Sequence, residues 1–189
     1  MKPLYTRPMI AGPTPQPWPR LARNWPLIAA LASAAMLAVA HAFQTFGHLA
    51  PCELCLKQRD VYWLTLVLGL TGFALGKGLR RPAVMAAASA LLGLVFLAGA
   101  GVAAYHAGVE WKWWPGPQVC TGGAKVGAAA LAELLSGAKI SAPRCDQAAW
   151  RWLGVSMAGW NAVISLGLAA ASDLAAAFAF ADLRRKSAP

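Results

Sequence analysis

Two cysteines separated by two residues carry the clearest chemical signal in this sequence. Cys52 and Cys55 follow Pro51 at the start of a strongly apolar segment, and Arg59 lies four positions beyond Cys55. Positions i and i+4 share one face of a helix. A helix N-terminus or a nearby cation favours the thiolate, which is the reactive form of cysteine. The pattern therefore indicates thiol–disulfide redox chemistry, although this spacing alone is also compatible with a structural disulfide.

The composition indicates a membrane protein. Hydrophobic residues make up 58% of the chain and charged residues 13%, and the mean hydropathy is +0.49. Four stretches approach the roughly 20 apolar residues that a spanning helix needs: Trp25 to Phe46, Val61 to Gly76, Ala83 to Ala107 and Val155 to Ala181. The sequence therefore predicts an all-α membrane protein built as one bundle of four transmembrane helices.

The domain organisation follows from these spans. Residues 1–24 are rich in proline, which lacks a backbone N–H, and we expect a disordered cytoplasmic leader there. Residues 25–181 form the predicted four-helix redox domain, with an outer loop at about 108–154, and residues 182–189 form a cytoplasmic tail. This division leaves no room for a second soluble domain of ordinary size.

The basic residues predict the orientation of the bundle. The net charge of +10 is concentrated before the first span, between the second and third, and after the fourth. Positively charged connections remain cytoplasmic, so both termini are expected inside and all four cysteines outside, in an oxidising compartment. The charge is thus explained by topology and membrane lipid, and we expect no nucleic-acid partner. The residues concerned are Lys2, Arg7, Arg20, Arg23, Lys77, Arg80, Arg81, Arg184, Arg185 and Lys186.

The outer loop contains the other two cysteines, Cys120 and Cys145, 25 positions apart. Between them, Ala124 to Ile140 places apolar residues at helical spacing with lysines and a glutamate interspersed, which predicts a short amphipathic helix on the membrane surface. Tryptophans at both ends of the loop suit the headgroup region: they are Trp111, Trp113, Trp114, Trp150, Trp152 and Trp160.

Four outward-facing cysteines are open to more than one interpretation. Two static disulfides are one. A structural zinc site is another, but the chain has only one C-x-x-C, without a second pair at that spacing, so we expect no metal.

Taken together, the motifs resemble those of the DsbB family of quinone-dependent disulfide-forming membrane proteins, over roughly residues 25–181. The acidic Glu53 between the first two cysteines is a local feature that we do not carry over from the family, because its charge opposes thiolate formation. The matching motifs are Pro51-Cys52-x-x-Cys55-x-x-x-Arg59, His106 fourteen residues before Cys120, and Cys145 followed by Trp150-x-x-Leu153-Gly154-x-x-Met157-x-x-Trp160.

The resemblance implies a partner, a cofactor and a location. Members of the family reoxidise a soluble periplasmic oxidase of the DsbA type, which has a thioredoxin fold, and pass the electrons to a quinone, either ubiquinone or menaquinone. They lie in the bacterial inner membrane. By analogy, Cys120 is the sulfur attacked by the partner, which releases Cys145, and Cys145 then attacks Cys52.

The same analogy assigns the cofactor side of the site. Cys55 would face the quinone, Arg59 would stabilise its thiolate, and His106 would contact a quinone carbonyl or help to supply protons, because imidazole titrates near neutral pH. Asp173 lies within the predicted fourth span, and an intramembrane acid is a functional candidate. It falls in the cytoplasmic half, far from the cysteines, and is left unassigned.

Two rival functions remain at this point. A static membrane scaffold would keep its four cysteines in permanent bridges and bind no quinone. A quinone reductase resembling the vitamin K epoxide type would also place C-x-x-C beside a quinone, but late in the helix order, whereas Cys52 and Cys55 open the second span.

The predicted orientation can be tested by labelling intact cells. Cysteines introduced near Arg80 should be shielded from a membrane-impermeant thiol reagent, whereas Cys120 of the reduced protein should react, because basic connections stay in the cytoplasm. The opposite labelling pattern would refute the orientation and place the thiols in a reducing compartment.

Overall fold

A computed structural model describes residues 18–117 and 144–187 of the chain. Within this part, four helices are long and apolar enough to cross a membrane. The chain is thus a multi-pass membrane protein, and the predicted four-helix architecture is confirmed. The elements are α1 (Trp18–Thr45), α2 (Glu53–Gly78), α3 (Pro82–Glu110), β1 (Arg151–Trp152), β2 (Val155–Ser156) and α4 (Met157–Ser187).

Several helix boundaries differ from the predicted spans, and α2 begins at Glu53, ahead of the predicted Val61. Helix α1 begins at Trp18, so the last residues of the expected leader are helical. Pro19 lies in the first turn, where its missing N–H would have had no intrahelical partner, and proline is tolerated there. Helix α4 continues to Ser187, into the expected tail. The leader residues 1–17 and the amphipathic helix predicted at 124–140 lie outside the described residues.

The start of α2 is set by a cysteine. Cys52 has the extended backbone of an N-cap residue, with φ −81° and ψ 172°. The backbone N–H of Cys55 donates a hydrogen bond to the Cys52 sulfur at 3.3 Å. The C-x-x-C spacing therefore places one sulfur on the cap and the other in the first turn.

The core of the bundle is centred on α3. Phe96 and Leu92 of this helix are fully buried, and they pack with Tyr62 of α2, Ala29 of α1 and Ala169 of α4. Helix α3 makes its most extensive contact with α4. Many leucine and valine side chains on the outside of the bundle are exposed, as expected for helices that face lipid.

Polar side chains join α1 to its neighbours inside the span. The hydroxyls of Ser33 and Thr65 lie 2.8 Å apart between α1 and α2, and Trp25 Nε1 donates to the Ser172 hydroxyl of α4 at 2.8 Å. Hydrogen bonds of this kind contribute modestly to helix association in membranes, typically about 0.6 kcal/mol each.

Asp173, the acid inside the fourth span, lies at the surface of α4. Its carboxyl group packs against Gly93 of α3. The structure assigns it no role.

Glycines on one side of α2 bring three helices together. A Cβ atom at Gly69 would lie 2.5 Å from the carbonyl oxygen of Pro26 in α1. A Cβ atom at Gly72 would lie 2.5 Å from the Cβ of Ala88 in α3, and one at Gly76 would also overlap α3. The Gly72-x-x-x-Gly76 pair is therefore a site of close helix packing.

A tight hairpin precedes α4. Leu153 and Gly154 both have positive φ, 51° and 79°, the combination found in two-residue type I′ turns, where glycine is favoured. Trp160 Nε1 donates to the carbonyl of Trp152 at 3.1 Å, and the two indole rings lie 5.2 Å apart. These contacts fix the hairpin onto the first turn of α4.

The glycine packing leads to a stability prediction. Gly69→Ala should lower the free energy of unfolding by about 1–3 kcal/mol, because the new methyl group meets backbone atoms that cannot move aside. Gly101→Ala is the matched control: nothing lies within 4 Å of its added Cβ. Thermal unfolding of both variants in detergent measures the difference, and equal melting temperatures would contradict the packing argument.

Candidate thiol–disulfide site

The predicted cysteine pair lies at the N-terminal end of α2. Cys52 is buried and Cys55 is half-buried, and both are free thiols whose sulfur atoms lie 2.6 Å apart. The Cys55 thiol, through its hydrogen bond, and burial together raise the pKa of Cys52. Cys52 therefore keeps its proton at neutral pH when both thiols are reduced.

A third cysteine reaches this pair. Cys145 has no exposed surface, packs beside Val109, and is disulfide-bonded. The sulfur atoms of Cys145 and Cys52 and one ring nitrogen of His106 all lie within 4.8 Å of one another. The structure thus brings together three of the residues predicted from the sequence. The fourth cysteine, Cys120, lies outside the described residues.

The same three atoms are close enough to surround a metal ion. However, the Cys145 sulfur is already bonded to another sulfur and offers no thiolate, the form in which cysteine binds zinc. The absence of a metal, expected from the sequence, stays a prediction.

Ion pairs fix the loop that carries Cys145 to the end of α3. Lys112 Nζ lies 2.6 Å from Asp146 Oδ2 and 2.7 Å from its backbone oxygen. Arg144 donates two hydrogen bonds to the same carboxylate, each 2.9 Å long. Hydrogen bonds from Arg144 and Lys112 hold the pKa of Asp146 well below its usual range. The carboxylate therefore anchors the residue next to Cys145.

The protonation of His106 is set by a glutamine. Gln58 Nε2 donates to His106 Nδ1 at 2.8 Å and to the carbonyl of Leu54 at 3.2 Å. Because an amide NH₂ is only a donor, Nδ1 must be unprotonated and the neutral imidazole carries its proton on Nε2. That nitrogen lies 3.7 Å from the Cys52 sulfur.

Gln58 is itself held by a buried polar chain that the sequence reasoning missed. Asn161 Nδ2 donates to Gln58 Oε1 at 2.5 Å, and the Tyr62 hydroxyl contacts Asn161 Oδ1 at 2.5 Å and the Ser165 hydroxyl at 2.9 Å. A signal was present, because Gln58, Tyr62 and Thr65 recur at helical spacing within an apolar segment.

Arg59 lies one turn beyond Cys55, as predicted, but its hydrogen bonds run to another helix. Nη1 donates to Gln44 Oε1 at 2.6 Å, and Nη2 donates to the carbonyl of Ala40 at 3.1 Å, both on α1. Arg59 and Cys55 line the same cavity. Its expected action on the Cys55 thiolate stays a prediction.

That cavity has a volume of about 530 Å³ and opens between α1, α2 and the loop before β1. Its walls are mainly apolar, and its polar groups include His106, Arg59 and Asn161. Such a combination is typical of sites for small organic molecules. The apolar side chains include Met36, Leu37, Phe43, Leu49, Pro51, Trp150 and Met157.

A second cleft, of about 640 Å³, lies at the opposite end of the bundle. Several cationic side chains line it, including Arg23, Lys77 and Arg185, but none of the three cysteines that the structure describes does. It is therefore separate from the redox chemistry of the sulfur atoms.

Free thiols beside a disulfide, at the end of a membrane helix and next to an apolar cavity, define a membrane thiol–disulfide oxidoreductase. Comparison with known proteins agrees. The family described as "Disulfide bond formation protein DsbB" matches residues 22–175, and the chain belongs to this family. Its role is thus disulfide bond formation.

Three relatives show the extent of the similarity. The chain is 31% identical to Disulfide bond formation protein B of Dechloromonas aromatica (strain RCB) over 156 residues, which cover 78% of this chain and 88% of the relative. It is 33% identical to the protein of the same name from Methylococcus capsulatus, covering 81% and 93%. It is 32% identical to Disulfide bond formation protein B 2 of Pseudomonas entomophila (strain L48), covering 78% and 86%. No solved structure matches the chain significantly.

The anchoring of the loop can be tested through Asp146. Because its folded pKa is depressed, its carboxylate stabilises the loop above the ordinary aspartate pKa of about 3.9, and this contribution is lost as the pH falls through the lower folded value. Asp146→Asn should raise amide hydrogen exchange of residues 144–150 about two- to fivefold at pH 7, since Lys112 and Arg144 are largely exposed. In the wild type, amide hydrogen exchange of these residues should increase in this way only well below pH 4. Replacing the exposed Asp60 with Asn is the control, and unchanged exchange in the Asp146 variant would contradict the anchor.

Proposed function

We propose that this protein reoxidises a soluble periplasmic thiol oxidase of the DsbA type, with a thioredoxin fold, and passes the electrons to a membrane quinone. The observation that carries the proposal is the meeting of Cys145 with Cys52 beside an apolar cavity. Membership of the disulfide-forming family supports the general reaction. The proposal adds the identity of the partner and of the electron acceptor to this general reaction.

The electrons follow the order of the sulfur atoms. A thiolate of the partner attacks Cys120, forms a mixed disulfide and releases Cys145. Cys145 attacks Cys52, so a Cys145–Cys52 bond forms, the Cys52–Cys55 bond breaks, and Cys55 leaves as the thiolate. The second thiolate of the partner then displaces Cys120, and the partner leaves as a disulfide. Cys120 attacks Cys145, which restores the Cys120–Cys145 bond and frees Cys52. Each exchange needs one sulfur to reach the next, and the 4.8 Å limit between the Cys145 and Cys52 sulfur atoms supports the attack of Cys145 on Cys52.

A membrane quinone suits both the energetics and the cavity. DsbA-type partners are strongly oxidising, at about −120 mV, and each 30 mV of a two-electron couple corresponds to about 1.4 kcal/mol, so only a stronger oxidant than glutathione can restore them. The apolar walls fit a flat, neutral ring, and the guanidinium of Arg59, which lines the cavity, supplies donors for its oxygens. A bound quinone would supply the acceptor for two electrons and two protons.

This chain's own residues then have distinct tasks. Arg59 is positioned by its hydrogen bonds to α1 and adds a positive charge on the Cys55 face of α2. His106 is oriented by Gln58, so that its Nε2 proton faces the Cys52 side of the site. The apolar walls exclude bulk water from the sulfur pair.

The proposal includes a location and an orientation. We place the chain in the bacterial inner membrane, with both termini cytoplasmic and the cysteines periplasmic, because the basic connections are expected inside and disulfides persist outside. The free thiols of Cys52 and Cys55 and the family membership disfavour a static scaffold. The family membership also disfavours a reductase of the vitamin K epoxide type.

Quinone reduction by the purified protein tests the proposal. Wild type, supplied with a reduced DsbA-type partner and a soluble quinone analogue, should form quinol, which is followed by ultraviolet absorbance. Cys145→Ser should abolish this reaction, because Cys52 can no longer receive electrons from the loop. Mixed with oxidised partner, the same variant should accumulate a covalent complex through Cys120, since Cys145 is no longer there to resolve it.

Cys120→Ser is the matched control and should give no complex on non-reducing gels. If both variants merely lose stability and neither traps the partner, the loop cysteines form a structural bridge and the relay is wrong.

A further inference from the structure

Glu110, the last residue of α3, is a buried carboxyl group that the sulfur relay does not use. Its side chain is only 5% exposed, and Oε1 lies 3.8 Å from His106 Nε2. The Ser156 hydroxyl hydrogen-bonds the carboxyl group, but the buried Oε2 has no hydrogen-bond partner among the described residues. A buried carboxylate oxygen without a partner is destabilising, and taking up a proton relieves this.

His106 is poorly suited to accept a proton here. Its Nδ1 already accepts a hydrogen bond from Gln58, and its Nε2 therefore carries the ring proton. The ring also hydrogen-bonds the backbone of Cys145, where a carbonyl can only accept. His106 is thus held as a donor, and Glu110 is the neighbouring base.

The redox cycle needs such a base. When the disulfide closes, the Cys52 sulfur attacks the Cys55 sulfur, the S–S bond forms, and the electron pair leaves from Cys55 to the quinone named in the proposed function. Closing the dithiol releases two electrons and two protons. Since a cysteine attacks only as its thiolate, and the pKa of Cys52 is raised, its proton needs an acceptor before the attack.

We propose that Glu110 is this acceptor: its carboxylate takes the Cys52 proton, across one water molecule in the cavity that both residues line, and afterwards gives it up towards the reduced acceptor. The Cys52 sulfur and Glu110 Oε1 lie 3.7 Å and 3.8 Å from the same nitrogen of His106. Both atoms thus lie next to one ring nitrogen, and both residues line the same cavity, where a water molecule would connect them. The inference rests on the proposed function only for the identity of the oxidant.

Other titratable and charged groups surround Glu110 and contribute to any pH profile. From its own helix there is His106. The other elements that line the cavity or act on the carboxyl electrostatically contribute Cys52 at the N-cap of α2, Cys55, Arg59 and Tyr62 of α2, His48 of the α1–α2 connection, Arg144 of the loop before β1, and Arg151 of β1.

The test measures disulfide closure without quinone or partner. In a full-length background with Cys120→Ser and Cys145→Ser, the reduced Cys52–Cys55 pair is oxidised by saturating diamide, which takes up two electrons and two protons. Glu110→Gln should slow closure about 10²-fold at pH 7. The rate of this variant should then rise about tenfold per pH unit, as hydroxide replaces the missing base, whereas a protein with the carboxylate should show a flatter profile.

Two further variants sharpen the result. Glu110→Asp keeps a carboxylate and should retain the flatter profile. Glu53→Gln removes an acid next to Cys52 in the sequence that is paired with Lys57 on the exposed side of α2, and it should not slow closure. Equal rates for wild type and Glu110→Gln at every pH would overturn the proposal, as would an equal slowing by Glu53→Gln.

A measurement on the wild-type protein tests the proposal even if Glu110→Gln fails to fold. Time-resolved infrared difference spectra of disulfide closure should show a transient carbonyl stretch of a newly protonated carboxylic acid, which decays as the proton is passed on, and the absence of this transient would overturn the proposal. Failure of quinone reduction in the partner assay would instead refute the proposed function and leave this acid–base step intact.

Discussion

The proximity of Cys145 to Cys52 is the constraint on which the proposed sulfur relay depends. Disulfide exchange cannot proceed unless one sulfur reaches the next, so a loop distant in sequence must be held against the first turn of α2. Asp146 ties that loop to the end of α3, and the hairpin at Gly154 turns the chain into α4. Both devices act on the same short segment, and together they keep a buried sulfur in place at the edge of a membrane bundle.

The second requirement is that the buried polar side chains have hydrogen-bond partners. Hydrogen bonds link the side chains of His106, Gln58, Asn161 and Tyr62, and this chain of bonds joins α2, α3 and α4. Buried polar groups are destabilising unless they are paired, so these bonds also determine how the three helices align. Glu110 is the exception, since one of its oxygens has no partner among the described residues. An exception of this kind beside reactive sulfur is typical of groups whose protonation changes.

The sequence predicted what depends on local pattern. The four spans follow from hydropathy, and the helix start at Cys52 follows from the C-x-x-C motif and the apolar run behind it. The pairing of Gln58 with Asn161 was out of reach, because the two lie 103 positions apart and only tertiary packing makes them neighbours. The anchoring of Arg59 to α1 was missed for the same reason. The helical start at Trp18 departs from the expected disordered leader because the last proline of that stretch lies in a first turn, where proline is tolerated.

The glycine contacts of α2 couple its packing against α3 to the position of its N-terminal end. Gly72 packs directly on α3, and Cys52 lies 20 residues away, about 30 Å along the axis at 1.5 Å per residue. A larger side chain at this contact would tilt the helix and displace its N-terminal end by a larger amount. The alignment of the sulfur atoms is therefore sensitive to side-chain size deep in the other half of the bundle. A larger side chain at one of these glycines would therefore disturb the sulfur atoms without contacting them.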